Sequence, residues 1–345
     1  MAQRLASRCV HRVCEGLWMS GGTGQRWMTW CAATQQALYA DGGFYRRGTG
    51  PVDHFRTSVH ESPGFAEALL TLARAADLDV VVDLGSGRGE LLRTLHALDP
   101  TLRLVGVELA DRPDDLPDVI GWSSSLPPDL DALVVANEWL DNVPVDIARR
   151  AGDDVRLLVV DPTSGAEAPG APVTGRDLDW LDLWWPLPDG GRAEIGHPRD
   201  DAWAATVGSI RRGIAVAADY EHRLAERPFA GSLAGYRAGR QVPPVPDGSC
   251  DITSHVALDS CAAAGVRAGA AWTVHTTQRR ALQALGAGRS TPSYDDARRD
   301  PAAYLAALAR ASADAELTRR GGLGDFGWLV QGRGAPRPRL LDQLP

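Results

Sequence analysis

The chain has 345 residues, enough to bury a large core as one elaborated α/β domain or as two domains. Its formal net charge of −8 excludes the broadly basic surface on which nucleic-acid binding depends, because phosphate neutralisation supplies most of that affinity. No apolar run approaches the roughly 18 residues of a bilayer-spanning helix, so neither nucleic acid nor membrane is an expected partner.

There is no lysine, so all 36 basic residues are arginine. Codon usage in a GC-rich genome accounts for this more simply than a set of anion clamps. Cys9, Cys14, Cys31, Cys250 and Cys261 contain no C-x-x-C pair. They read as free thiols in a reducing compartment, with the cytoplasm as the expected location and no metal site.

In chain order, residues 1–26 read as a disordered tail that carries Arg4, Arg8 and Arg12 with no acid in its first fourteen positions. Trp27 to Ala40 suits a helix that ends at Asp41-Gly-Gly43. Apolar spacing at Phe65, Ala68, Leu69, Leu72 and Ala76 predicts another helix. Val80 to Leu84 is a β-branched apolar run, read as a buried strand, and a Gly-rich turn joins it to a helix over Glu90 to Leu98. Further strands are expected at Leu102 to Glu108, Leu130 to Ala136, Val155 to Val160, Gly213 to Asp219 and Gly269 to Thr276. Strands alternating with helices predict an α/β fold with a mostly parallel central sheet. Pro/Gly-rich breaks at 162–175, 186–191 and 243–248 read as loops. The expected organisation is a single domain over 27–331 with an insertion around 222–262, then a loose tail over 332–345.

The turn Asp83-Leu-Gly-Ser-Gly-Arg-Gly89 carries the functional reading. A strand that turns sharply into a helix leaves backbone N–H groups pointing outward, and glycine lets a ligand approach them. A dinucleotide site wants G-x-G-x-x-G, but here the spacing of Gly85, Gly87 and Gly89 puts Glu90 at the third glycine's position. A carboxylate there opposes a pyrophosphate and tolerates a cofactor bearing an amino acid and a sulfonium. The expected cofactor is therefore S-adenosylmethionine, with Asp83, Gly85, Ser86, Gly87 and Gly89 around it. Glu108 ends the second strand, where an acid accepts ribose hydroxyls, and Asn137 ends the third. A Walker A site is excluded because Gly-Lys-Ser/Thr is absent.

The segment Ala136-Asn-Glu-Trp-Leu-Asp-Asn-Val-Pro144 resembles the N-E-F-F-D-A-L-P signature of MidA-like methyltransferases, bacterial relatives of a mitochondrial complex I assembly factor that methylates arginine. Gly43-Phe-Tyr45, His54-Phe-Arg-Thr-Ser58, Glu61-Ser-Pro63, Ala218-Asp-Tyr220, Gly231-Ser-Leu-Ala-Gly-Tyr236 and Asp251-Ile-Thr-Ser-His-Val256 resemble other motifs of that family, in its order. Gln278 to Val330 matches its helical tail, closing on Gly324-Asp-Phe326. Departures stand at Glu221, Trp139, Leu140, Asn142 and Val143. The resemblance implies a Rossmann-like class I methyltransferase fold and a protein substrate methylated on a side chain such as arginine. A small-molecule methyltransferase and a non-catalytic assembly protein are the alternatives.

For that chemistry Glu138, Asp141 and Asp219 are the candidate catalytic carboxylates, because a cationic guanidinium needs acids to orient it. From the residues alone, Glu138 and Asp141 read equally well as acids at a helix N-terminus. His54 and His255 read as structural hydrogen-bonders rather than bases. Asp251 with His255 lacks a third ligand, so no metal is expected. Trp180, Trp184 and Trp185 read as core packing ahead of a docking surface.

Overall fold

The computed structural model describes residues 19–20, 26–46, 58–287 and 294–345. Counting only those, the chain divides into two compact units built from separated segments. The described residues of a sheet unit are 58–138, 207–218, 269–287 and 294–345; those of an inserted unit are 19–20, 26–46, 139–206 and 219–268. The sequence reading expected one domain with an insertion around 222–262. In the fold the chain leaves the sheet unit after Glu138 and again after Ala218, so the departure is larger and earlier.

Among the described residues, seven strands form the sheet: β1 (Val80–Leu84), β2 (Arg103–Val107), β3 (Gly121–Ser123), β4 (Leu130–Asn137), β5 (Ile210–Asp219), β6 (Trp272–Thr277) and β7 (Gly327–Arg333). Their order is β6-β7-β5-β4-β1-β2-β3. The pairs β1–β2, β1–β4, β2–β3 and β4–β5 are parallel, and β6–β7 is antiparallel. Ala132 to Ala136 is fully buried in the middle of this sheet, which is why β4 is a continuous apolar run rather than an alternating one.

Helix Glu90–Leu98 turns Leu91, Leu92 and Leu95 into the core, and it ends at Asp99, ahead of Pro100. Helix Gly64–Ala75 sends Phe65 edge-on against Trp328, with ring centroids 5.8 Å apart. The loose tail expected over 332–345 needs correcting. Leu341 and Leu344 join the core, and the Arg337 guanidinium donates to their carbonyls at 2.5 and 2.7 Å. Burying two leucines contributes about 1.5–3 kcal/mol each, which offsets the entropy of ordering a short segment.

The inserted unit is built on antiparallel pairing. Strand Asp154–Val160 lies between Ile147–Ala151 and Glu167–Pro172, and Arg192–Glu194 pairs with Ile147–Ala151. Val155 to Val160 was expected to continue the parallel sheet, so this is a second correction. The apolar run is real, but periodicity does not tell which sheet receives a strand. Residues 167–172, expected as a loop, form a strand that among the described residues pairs on one side only, where Pro169 and Pro172 need no N–H to donate. Trp180 and Trp185 are core residues there, as read from the sequence.

Cys250 and Cys261 are free and buried. Cys31 is disulfide-bonded, which corrects the expectation of free thiols at that position. Among the described residues, no helix is long and apolar enough to cross a membrane.

Candidate active site

The Gly-rich turn sits at the carboxyl end of β1 in the sheet unit. Gly85, Gly87 and Gly89 all have positive φ, at 76°, 54° and 80°. At Gly89 an added Cβ would also stand 2.7 Å from Leu116 Cδ1. The turn is pinned from below: Gly85 N–H donates to the Val107 carbonyl at 2.9 Å, and the Ser86 hydroxyl donates to the Asp83 carbonyl at 2.8 Å.

Glu108 follows β2. Its Oε2 accepts Gly87 N–H at 3.1 Å, and its Oε1 accepts Leu109 and Ala110 N–H at 2.6 and 3.2 Å. Burial nonetheless pushes its carboxyl above the usual range. Asp83 is buried beside it, and burial first, then the charges of Glu90 and Glu108, push its carboxyl up to about 7. Glu90 Oε2 accepts Arg88 N–H at 3.0 Å, and its other oxygen is 3.5 Å from His60 Nε2. Burial opposes ionisation of Glu90, but the His60 contact and the backbone donors win and hold its carboxyl below the usual range. The Arg88 N–H is thus met by the chain's own carboxylate, and three acids, Asp83, Glu90 and Glu108, ring the turn. That electrostatic setting disfavours a dinucleotide and suits a cation.

Two residues at the carboxyl end of β4 complete this group. Asn137 Nδ2 donates to Glu138 Oε1 at 3.2 Å, while Asn137 Oδ1 is buried with no hydrogen-bond partner. Glu138 has φ 48°, rare for a non-glycine residue, and its N–H donates to the Ala218 carbonyl at 2.8 Å. Glu138 Oε1 also accepts Ser58 N–H at 3.2 Å. Ser58 is fixed in turn: its hydroxyl donates to Gln278 Oε1 at 3.1 Å, the same atom that accepts Trp328 Nε1–H at 3.1 Å. Gln278 was not read as a site residue, because a glutamine at the start of a helical tail carries no motif of its own.

The other two candidate catalytic acids belong to the inserted unit. Asp219 is 0 % exposed. Its Oδ2 accepts the N–H groups of Leu140 and Asp141 at 2.9 and 3.2 Å, and its Oδ1 accepts Tyr220 N–H at 2.9 Å. Asp219 therefore holds the 139–142 turn through its backbone rather than presenting a face to a ligand.

Asp141 is also buried; its carboxylate accepts from Asn142 Nδ2 at 3.0 Å and from the Thr253 hydroxyl at 2.7 Å. Burial first raises its pKa, against the hydrogen bond from Thr253 and the charge of Arg199. Arg199, buried, was not singled out from the sequence, where nothing distinguishes it from 35 other basic residues. It donates to the carbonyls of Asp141, Val143, Ser254 and His255. The turn carrying Asp141 is thereby tied to the 254–255 segment.

His255 stacks on Tyr220 at 5.5 Å, and burial lowers its pKa. Asp251 bonds to Tyr45 rather than to His255. Among the described residues, no group of three His, Cys, Asp or Glu side chains is arranged to hold a metal. His54 lies outside the described residues.

A seven-stranded, mostly parallel sheet with a Gly-rich turn after β1, an acid after β2 and polar residues after β4 defines a Rossmann-like protein for a nucleoside cofactor. Residues 65–276 match the family described as "Putative S-adenosyl-L-methionine-dependent methyltransferase". The chain belongs to that family, which includes the MidA-like proteins its motifs resemble. It is an S-adenosylmethionine-dependent methyltransferase.

A structure of a Burkholderia thailandensis protein bound to S-adenosyl-homocysteine is 22% identical with a TM-score of 0.76, covering 99% of this chain and 94% of that one. A native structure from the same superfamily and organism is 24% identical with a TM-score of 0.74, covering 98% and 93%. At these identities the likeness establishes the fold. No curated protein matches the chain.

Proposed function

We propose that the protein methylates a nitrogen on a protein side chain, arginine first among the candidates. The observation that carries this reading is Glu138. A non-glycine residue with φ 48° at the end of a central strand persists only where its surroundings over-determine it, and such strain concentrates at functional sites. Its carboxylate is held by Ser58 and Asn137 beyond the carboxyl end of β4, where open α/β sheets take their ligands.

The cofactor's own site fits the residues present. Asn137 Oδ1, buried and unpartnered, and Asp83 are acceptors for an ammonium group. Glu108 is placed for ribose hydroxyls, and the backbone of Gly85, Ser86, Gly87 and Gly89 lets a ligand lie close. The Burkholderia thailandensis structure of the same fold, bound to S-adenosyl-homocysteine, supports this reading. Bound S-adenosylmethionine supplies a methyl group activated by its sulfonium.

The chain's residues then have to orient the acceptor, and near-attack positioning alone is worth up to about 7–11 kcal/mol of a barrier. A guanidinium is planar, cationic and delocalised, so a fixed carboxylate pairs with two of its nitrogens and aims the third. Glu138 is the candidate for that role in the sheet unit, and Asp141 is the candidate in the inserted unit. Asp219 acts on the turn that bears Asp141.

Calorimetry should show S-adenosylmethionine binding that vanishes in Gly87→Arg and persists in Glu138→Ala. Incubation with labelled cofactor and cell lysate should label a protein band with the wild type and none with Glu138→Ala. Label confined to low-mass product would refute the protein acceptor. Bound cofactor with no label anywhere would make the chain a non-catalytic binding protein.

A further inference from the structure

Four side chains of the inserted unit form a buried chain of contacts from Asp141 to Asp251. Asn142 Nδ2 donates to Asp141 Oδ1 at 3.0 Å, and Tyr45 Oη lies 2.8 Å from Asn142 Oδ1 and 2.9 Å from Asp251 Oδ1. Asp141 and Asp251 are 5 % and 4 % exposed.

The protons in this chain can be counted. An ionised carboxylate only accepts, the asparagine amide donates on one side and accepts on the other, and tyrosine has one proton. With Asn142 oriented as found, its NH2 serves Asp141 and the Tyr45 proton serves Asn142 Oδ1. Nothing remains to donate between Tyr45 and Asp251. With the amide turned over, its NH2 serves Tyr45 and Tyr45 serves Asp251, but Asp141 then faces the amide oxygen. Either way, two buried acceptors would confront each other at hydrogen-bond distance unless one carboxyl keeps a proton, and buried polar groups are rarely left that way.

We propose that Asp141 and Asp251 share one proton through Asn142 and Tyr45, so that the pair carries a single negative charge, and that Tyr45 and Asp251 are positioning residues setting the charge and orientation of Asp141. The functional part rests on Asp141 orienting the acceptor; the proton does not.

The surroundings agree. Burial, then the charge of Asp141, pushes the Asp251 carboxyl up to about 7. Burial, then Asp251, raises the Tyr45 hydroxyl well above its usual range, which keeps it a donor. Other charged or titratable groups face the chain. Tyr39 stacks on Tyr45 at 5.6 Å and donates to the Asn142 carbonyl at 3.0 Å. Tyr236 lies opposite Asp251 in the sheet, and Cys250 precedes it. Asp219 accepts Asp141 N–H, and Arg199 binds the Asp141 carbonyl rather than its carboxylate. Arg199 is the one cation in this set, which favours one retained negative charge over none.

Asparagine at either acid supplies a fixed N–H2 and completes the chain with no carboxyl proton. In the full-length protein, infrared difference spectra taken across neutral pH should show protonated carboxyl groups. Asp251→Asn and Asp141→Asn should each lower that signal by one carboxyl relative to wild type. A folded variant of either kind with undiminished signal overturns the proposal.

Carbon-13 spectra of labelled aspartates read the unmodified chain. They should show an aspartate other than Asp83, one whose signal changes in Asp251→Asn, still protonated at about pH 6, far above the usual aspartate value of about 3.9. Complete ionisation of all the others at that pH overturns the proposal as well. Neither readout needs an acceptor, so failure of arginine methylation and absence of the shared proton are separate results.

Discussion

Glu108 offers the sharpest test of the cofactor assignment. It accepts three backbone N–H groups, Gly87 on Oε2 and Leu109 and Ala110 on Oε1, so an ionised carboxylate keeps one lone-pair site on Oε2 for a ribose hydroxyl. Hydrogen bonds to a charged acceptor are worth about 1.5–3 kcal/mol each. Taking the upper figure for that one hydroxyl, Glu108→Ala should lose about 3 kcal/mol, on the order of a hundredfold in Kd. Loosening of the Gly87 contact adds to that loss. Glu108→Gln keeps one acceptor and should lose on the order of tenfold. Calorimetry with S-adenosylhomocysteine, alongside circular dichroism to check folding, measures both. A folded Glu108→Ala protein within about threefold of wild type would mean that the ribose lies elsewhere.

Asp83 makes the site pH-dependent. Its folded carboxyl titrates at about 7, above the unfolded value near 3.9, so the folded state binds the extra proton between those values. Stability from this group therefore falls as pH rises from about 4 to about 7 and is level above. Affinity for a cationic cofactor moves the other way, improving as Asp83 ionises. Asp83→Asn should flatten both dependences, and an unchanged affinity profile in calorimetry would remove Asp83 from the site. Gln278→Leu strands the fully buried Trp328 Nε1–H and the Ser58 hydroxyl. It should cost at least about 2 kcal/mol in urea unfolding while cofactor binding persists. A cost under about 0.5 kcal/mol would show that these groups find other partners.

The cofactor half was legible because its signals are local. Val80 to Leu84 is a strand at those bounds, the glycines take the positive φ that only they adopt freely, and Glu108 follows a strand found at Arg103–Val107. The acids beyond β4 were legible as residues but not as a set. Nothing in Asn137-Glu-Trp-Leu-Asp141 shows that the contacts divide after Glu138, or that Asp219 spends its carboxylate on backbone N–H groups. Arg199 and Gln278 act through partners 55 or more and 39 or more positions away, so only the folded chain reveals them. The inserted unit's strands escaped because Ile147-Ala-Arg-Arg-Ala151 and the Pro-rich 167–172 lack the β-branched runs that mark a buried strand.

The departure of the chain between β4 and β5 also bears on how the protein is made. Leu130 of β4 pairs with Ile210 of β5, 210 − 130 = 80 positions later. At about 5–20 residues per second, roughly 4–16 s of synthesis separate the two strands. Until β5 arrives, one edge of a strand whose residues 132–136 are fully buried in the fold has no partner and is open to pairing with another nascent chain. A stall in translating the inserted segment would prolong that exposure, so yield during expression should depend on the speed at which residues 139–206 are read.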